Sequence, residues 1–257
     1  MTVNGMPCWY QLSTRADALD AAQAFYEAVI GWTVSDVAME GIRYRLANAG
    51  AGTVAGMTVL PDGGAAPPHW MICFATEACD AAVRDILAAG GQVHHAAEDI
   101  PDTGRFAIAA DPQGAVFGLL QPAPMEGGGR AFDQQKAGHG NWQELMSTDP
   151  EAALAFYGRL FGWRKSTMMD MGAMGPYQIF SHDGIDIGGM MGLGNAPAPC
   201  WLPYFGINGL VPAIERIKAA GGAVMHGPME VPGGAFIAVA RDPQGAHFAL
   251  VGPEETV

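Results

Sequence analysis

One stretch of this chain is written twice, and that repeat limits the fold more than any other feature. The words AFYEAVIGW at 24–32 and AFYGRLFGW at 155–163 place Phe25 and Phe156 131 positions apart (156 − 25). The same offset relates Trp70 to Trp201, Phe74 to Phe205, Ala89-Gly90-Gly91 to Ala220-Gly221-Gly222, and Asp111-Pro112-Gln113-Gly114 to Asp242-Pro243-Gln244-Gly245. Separate signatures at one offset mark a tandem duplication of one small domain.

Composition bounds what the two copies can do. With 49% hydrophobic and 15% charged residues over 257 positions, the chain has enough apolar material for two ordinary cores. Thirteen basic against twenty-six acidic residues give a formal net charge of −13, which repels nucleic acid and anionic lipid. The N-terminus has no basic stretch followed by an apolar run, and no window is apolar enough to span a bilayer, so a cytoplasmic protein without a membrane partner is expected. Cys8, Cys73, Cys79 and Cys200 lack zinc-type or redox-type spacing, and reduced thiols are expected.

Each half divides again. In the first, period-2 alternation predicts a strand at 9–13, and i, i+3, i+4 spacing predicts a helix at 17–29 with Asp17 as a cap and Gly31 as its stop. Three strands at 33–37, 42–47 and 53–60 follow, then a Pro- and Gly-rich loop at 61–68. The order then restarts with a strand at 70–75, a helix at 80–89 and strands at 92–95, 105–109 and 115–120. Asp, Pro and Gly at positions i, i+1 and i+3 make each Asp-Pro-Gln-Gly a type I turn between antiparallel strands, not a catalyst. Residues 123–138, rich in Gly and Pro, read as a linker between a first domain at 1–122 and a second at 139–257. In the second domain Asp149 is the expected N-cap, with Pro150 at N1, of a helix ending at Phe161.

A duplicated βαβββ-βαβββ pattern with these words resembles the vicinal oxygen chelate superfamily, which contains glyoxalase I, bleomycin-resistance proteins, fosfomycin-resistance enzymes and extradiol dioxygenases. The likeness is to its double-domain glyoxalase-like branch. It implies an α+β fold of tandem domains, each of two βαβββ modules whose curved mixed sheets form a cleft. It also implies, for the enzymes of the group, a divalent metal held by side chains of the first, fourth, fifth and last strands. On this sequence those positions fall on Trp9, Gly56, Met71 and Gly118 in the first half, and on Trp142, Gly189, Leu202 and Ala249 in the second.

None of these eight carries a side chain suited to a hard divalent ion, so the expectation is no metal and no cofactor. The lining expected instead is apolar and aromatic, with Gly56, Gly118, Gly189 and Ala249 leaving room for a small-molecule guest. Strand parity adds Gln11 and Glu144 beside the two tryptophans, His69 beside Met71, and His247 beside Ala249. Glu144 and His247 form the candidate catalytic pair, a general base or an improvised metal site, and only the second half carries it. The competing reading gives Glu144 a structural hydrogen bond and lets His247 fill a polar gap. Two functions stay open: a protein that binds a small apolar or aromatic molecule, and an enzyme of lyase, isomerase, dioxygenase or hydroxylase-like type. Monomer and homodimer are both compatible with such paired modules.

Overall fold

A computed structural model describes residues 4–39, 41–61, 66–123 and 131–256. The first half runs β1 (Pro7–Thr14), α1 (Leu19–Ile30), β2 (Thr33–Met39), β3 (Ile42–Ala49), β4 (Gly52–Val59), β5 (His69–Ala75), α2 (Cys79–Ala88), β6 (Gln92–Ile100), β7 (Gly104–Ala110) and β8 (Val116–Pro122). The second repeats it as β9 (Gly140–Ser147), α3 (Pro150–Phe161), β10 (Arg164–Asp170), β11 (Pro176–His182), β12 (Ile185–Gly192), β13 (Cys200–Gly206), α4 (Leu210–Ala219), β14 (Ala223–Val231), β15 (Ala235–Arg241) and β16 (His247–Gly252). Each half contributes one eight-stranded sheet, ordered β2-β3-β4-β1-β5-β8-β7-β6 and β10-β11-β12-β9-β13-β16-β15-β14. The sheets are mixed: β1 pairs with β4 and β5 with β8 in parallel, while β2, β3, β6 and β7 pair antiparallel to their neighbours. This is the α+β, βαβββ-βαβββ architecture that the repeat predicts.

Compactness cuts across the repeat. One unit comprises Met1–Cys8, Ile72–Gly129 and Trp142–Leu202, and the other Trp9–Met71, Arg130–Asn141 and Pro203–Val257. Each combines a module of one half with a module of the other, and each is built around a buried tyrosine of the AFY word.

In the Tyr26 unit, Tyr26 is fully buried, accepts a hydrogen bond from Trp70 Nε1 at 2.8 Å and donates one to Asp242 Oδ2 at 3.0 Å. In the Tyr157 unit, Tyr157 accepts from Trp201 Nε1 at 3.1 Å and donates to Asp111 Oδ2 at 3.1 Å. The other oxygen of each aspartate accepts backbone N–H groups of its own turn, from Gln113 and Ala115 for Asp111 and from Gln244, Gly245 and Ala246 for Asp242. The Asp-Pro-Gln-Gly word is therefore a turn, and its aspartate also fastens the helix of the opposite half. Burial raises the Asp242 carboxyl above its usual range, and burial with the aspartate's charge holds both phenols well above theirs. Tyr26→Phe and Tyr157→Phe each leave a buried indole N–H and a carboxylate oxygen without a partner. Each is expected to lower stability by about 1–3 kcal/mol, read as a shift in guanidinium midpoint at unchanged slope.

One local expectation needs correction. Ala18, without a side-chain cap, precedes α1, because a turn closed by Ala18 N–H to Arg15 O at 3.0 Å takes up Asp17. Asp149 does cap α3, accepting from Ala152 N at 3.0 Å, with Pro150 following it. Of the stretch 123–138, residues 124–130 lie outside the described residues. Residues 131–138 are tied into the Tyr26 unit: Phe132 bridges to Gly140, and Gly138 N–H donates to Gly206 O at 2.8 Å. Residues 131–138 therefore make backbone bonds to the start of β9 and the end of β13.

The four cysteines are free thiols, Cys8 and Cys200 partly exposed and Cys73 and Cys79 buried. Burial pushes Cys73 up to about 12 and is the first cause of the raised values of Cys8, Cys79 and Cys200. A thiolate is the reactive form, so native protein at mildly alkaline pH should consume almost no Ellman's reagent, and all four thiols should react once it is unfolded. Rapid labelling of the native chain would contradict this. Among the described residues no helix is long and apolar enough to cross a membrane.

Candidate functional site

Alternation along β9 separates two faces. Gln143 and Leu145 are fully buried on the helix side, whereas Trp142 and Glu144 are half-buried on the other face. There Trp142 Nε1 donates to Tyr177 Oη at 2.9 Å, from β11 across β12. Tyr177 is also hydrogen-bonded to Glu144, and its phenol is held well above its usual range by burial first and by the Glu144 charge next. Gly189, the register partner of Glu144 on β12, makes the arrangement possible: a Cβ there would stand 2.2 Å from the Tyr177 ring. Cys200, at the start of β13, also feels the Glu144 charge, which adds to burial in raising its thiol. All five residues belong to the Tyr157 unit.

The first half repeats the motif inside the Tyr26 unit. Trp9 Nε1 donates to Tyr44 Oη at 3.0 Å, Tyr44 Oη donates to Gln11 Oε1 at 3.4 Å, and a Cβ on Gly56 would lie 2.0 Å from Tyr44 Oη. An uncharged amide here replaces the carboxylate of Glu144. His69 faces Pro67 O through Nδ1 at 2.8 Å, and Met71 and Leu202 are buried to 3% and 4% exposure.

The space expected over the glycines belongs to neighbouring side chains. Tyr44 and Tyr177 lie across Gly56 and Gly189, and Cys73 Sγ lies 2.4 Å from where a Cβ of Gly118 would be, with the Phe106 ring beside it. The glycines let a tyrosine or cysteine lie flat on the strand, which corrects the expectation that they open room for a guest. Sequence reasoning missed both tyrosines. The available signal was their spacing of 133 (177 − 44), shared by Trp9 with Trp142, Gln11 with Glu144 and Gly56 with Gly189.

The candidate catalytic pair is divided between units, with Glu144 in one and His247 in the other. His247 opens β16 as an exposed residue in register with Arg241. Partial burial lowers its pKa, the Arg241 charge lowers it further, and Asp242 opposes both. Ala249, two residues on, is fully buried. Among the described residues, no group of three or more His, Cys, Asp or Glu side chains is placed to hold a metal ion.

Two eight-stranded mixed sheets, each made of two βαβββ modules, place this chain in the glyoxalase/bleomycin resistance protein/dioxygenase superfamily, whose family model matches residues 11–119 and 140–250. Its relatives include the glyoxylase-named protein CFP32 of Mycobacterium tuberculosis, 33% identical over 97% of this chain and 95% of that one. The anthracycline biosynthesis protein DauV of a Streptomyces species is 29% identical over 96% of this chain and 93% of that one. Among solved structures the fold is shared with the Mn(II)-bound glyoxalase of Novosphingobium aromaticivorans, at TM-score 0.66 and 16% identity over 100% of this chain and 85% of that one. It is shared too with the 2,2',3-trihydroxybiphenyl 1,2-dioxygenase of Sphingomonas wittichii, at TM-score 0.70 and 12% identity over 99% and 92%.

Proposed function

We propose that this chain binds a small apolar or aromatic molecule on the sheet face carrying Trp142, Tyr177 and Glu144, without the divalent metal of the superfamily's enzymes. The observation that carries the reading is what stands at the ligand positions implied by the family. Trp142 presents an indole N–H, a donor that cannot ligate, and Gly189 lies under a phenol kept protonated by burial. Leu202 and Ala249 offer no donor atom. In the first half Trp9, Gly56, Met71 and Gly118 are no better, because a thioether suits soft ions. These residues do not fit a hard divalent cation.

The chemistry left is recognition. Trp142 donates to Tyr177, Tyr177 is hydrogen-bonded to Glu144, and the remaining lone pairs of that carboxylate can accept a hydroxyl of a ligand lying against the indole. The name of DauV supports an aromatic guest, since anthracyclines are fused-ring aromatic compounds. Gln11 in place of Glu144 makes the second half the better candidate for specific polar recognition.

One observation favours a second reading, an enzyme of lyase, isomerase, dioxygenase or hydroxylase-like type. Only the second copy carries an ionisable group, Glu144, beside the tyrosine, and the lowered pKa of His247 leaves a neutral imidazole at pH 7. The glyoxylase name of CFP32 points the same way. Tryptophan fluorescence during titration with an anthracycline tests the first reading. Glu144→Gln should weaken binding about tenfold, whereas Gln11→Ala should change it little. Chelators should leave the melting temperature unchanged. Stoichiometric manganese, iron, nickel or zinc that returns after stripping would overturn the metal-free reading. Turnover of methylglyoxal hemithioacetal or of a catechol, lost in Glu144→Gln, would install the enzyme in its place.

A further inference from the structure

A cavity of about 380 Å³ opens in the Tyr157 unit where α3 ends, away from the residues discussed above. Its lining includes Phe161, Glu77, Arg164, Ser181, His182 and Asp183. The hairpin between β11 and β12 sets the last two: Asp183 and Gly184, at φ 48° and 79°, form the two-residue turn, and His182 pairs with Ile185 across it. His182 is only 6% exposed, and neither ring nitrogen has a hydrogen-bond partner among the described residues. The nearest carboxylate oxygen, Asp183 Oδ2, is 3.9 Å from Nε2, beyond hydrogen-bond reach. Burying both imidazole nitrogens unpaired is unfavourable, so a group that supplies their partners is expected in the cavity.

The duplication supplies an internal control. The corresponding cavity of the Tyr26 unit, about 520 Å³, is lined by Ile30 and Gly31 at the end of α1, and by Ala49, Gly50 and Asn208 where the first cavity has His182, Asp183 and Glu77. Its charged and imidazole groups are already occupied: Lys136 pairs with Asp133 at 2.7 Å, and His139 Nδ1 faces Ala137 O at 3.1 Å. Among the described residues, the exposed Arg164 and Glu77 that line the His182 cavity are in no ion pair.

We propose that the His182 cavity is a binding site for a small zwitterion, a free α-amino acid being the simplest. A lone anion would meet the carboxylates of Glu77 and Asp183 in a chain of net charge −13, and a lone cation would meet Arg164. A molecule bearing both charges meets neither penalty. Its carboxylate accepts from Arg164 and from a ring N–H of His182, and its ammonium donates to Glu77 and Asp183. A divalent cation is a poor fit, since no metal-holding group of three His, Cys, Asp or Glu exists among the described residues.

Calorimetric titration of the full chain with glycine and L-serine tests this, with acetate, ethylamine and glucose as single-function controls. Saturable binding of the amino acids is expected, with each control at least about tenfold weaker. Arg164→Gln and Glu77→Gln change exposed residues, so they keep the fold and should each weaken glycine binding by about tenfold. Asn208→Gln in the other cavity should leave it unchanged. The ¹⁵N imidazole signals of His182 should move on adding glycine to the unaltered chain. The proposal is overturned if glycine gives no heat at tens of millimolar, if acetate or glucose binds as tightly, or if both glutamine variants bind glycine as the parent does.

Discussion

Replacing Phe25 by Ala is expected to lower folding stability by about 3–5 kcal/mol, the range for large-to-small changes at well-packed aromatic core positions. Phe25 lies on the buried face of α1 at 2% exposure, edge-on to Tyr26 at 5.0 Å and to Phe248 at 5.8 Å. Its ring also fills the space over Gly222, where a Cβ would come within 2.8 Å of it. Removing the ring forfeits its burial and leaves a void that two rigid rings and the backbone at Gly222 cannot close. Phe156 is buried to 3% but meets one ring among the described residues, Tyr157 at 4.9 Å. Its substitution should therefore fall at the lower end of the range, although both phenylalanines stand in the same Ala-Phe-Tyr word. Guanidinium denaturation of both variants decides this. A Phe25→Ala loss under about 1 kcal/mol, or a Phe156→Ala loss clearly the larger, would contradict the packing account.

The contrast between those phenylalanines shows what the sequence could convey. Periodicity and offset revealed two copies, four modules and the buried faces, because burial imposes a period on the chain itself. Parity along β9 was equally legible, and it places Trp142 and Glu144 together on the face opposite Gln143 and Leu145. Which module packs with which was not legible. Asp111 and Asp242 read as turn residues because the turn is local, while their bonds to Tyr157 and Tyr26 span 46 and 216 positions and leave no local trace. Tyr177 was hidden for a related reason: its partners Trp142 and Glu144 lie on a strand separated from its own by β12. Glycine carried the remaining clue. Small residues at Gly56 and Gly189 signal a close approach, but only coordinates say that the approaching group is a tyrosine of the next strand.

That close approach yields the strongest functional expectation, for Gly189→Ala. The new methyl carbon would stand 2.2 Å from Cε1 and Cζ of Tyr177 and 2.3 Å from Oη, so the ring must leave its place on β12. Once displaced, Tyr177 no longer accepts from Trp142 Nε1, and its bond to Glu144 is lost. The indole loses its acceptor, and the ring projects into the face proposed to hold the ligand. Both are only half-buried, so water can replace part of what they lose, and the stability cost should stay near the about 1–3 kcal/mol typical of overpacking. Binding should suffer more, because a pre-organised donor chain and a free surface vanish together: a loss of about tenfold or more is expected, or about 1.4 kcal/mol at the least. Gly192→Ala on the same strand is the control, since a Cβ there meets nothing within 4 Å. Gly56→Ala evicts Tyr44 in the same way and should disturb anthracycline binding less, because Gln11 carries no charge for a ligand hydroxyl to find. Equal losses for Gly56→Ala and Gly189→Ala would place recognition in both halves, and an unaffected Gly189→Ala would remove the Trp142, Tyr177 and Glu144 face from consideration as the binding site.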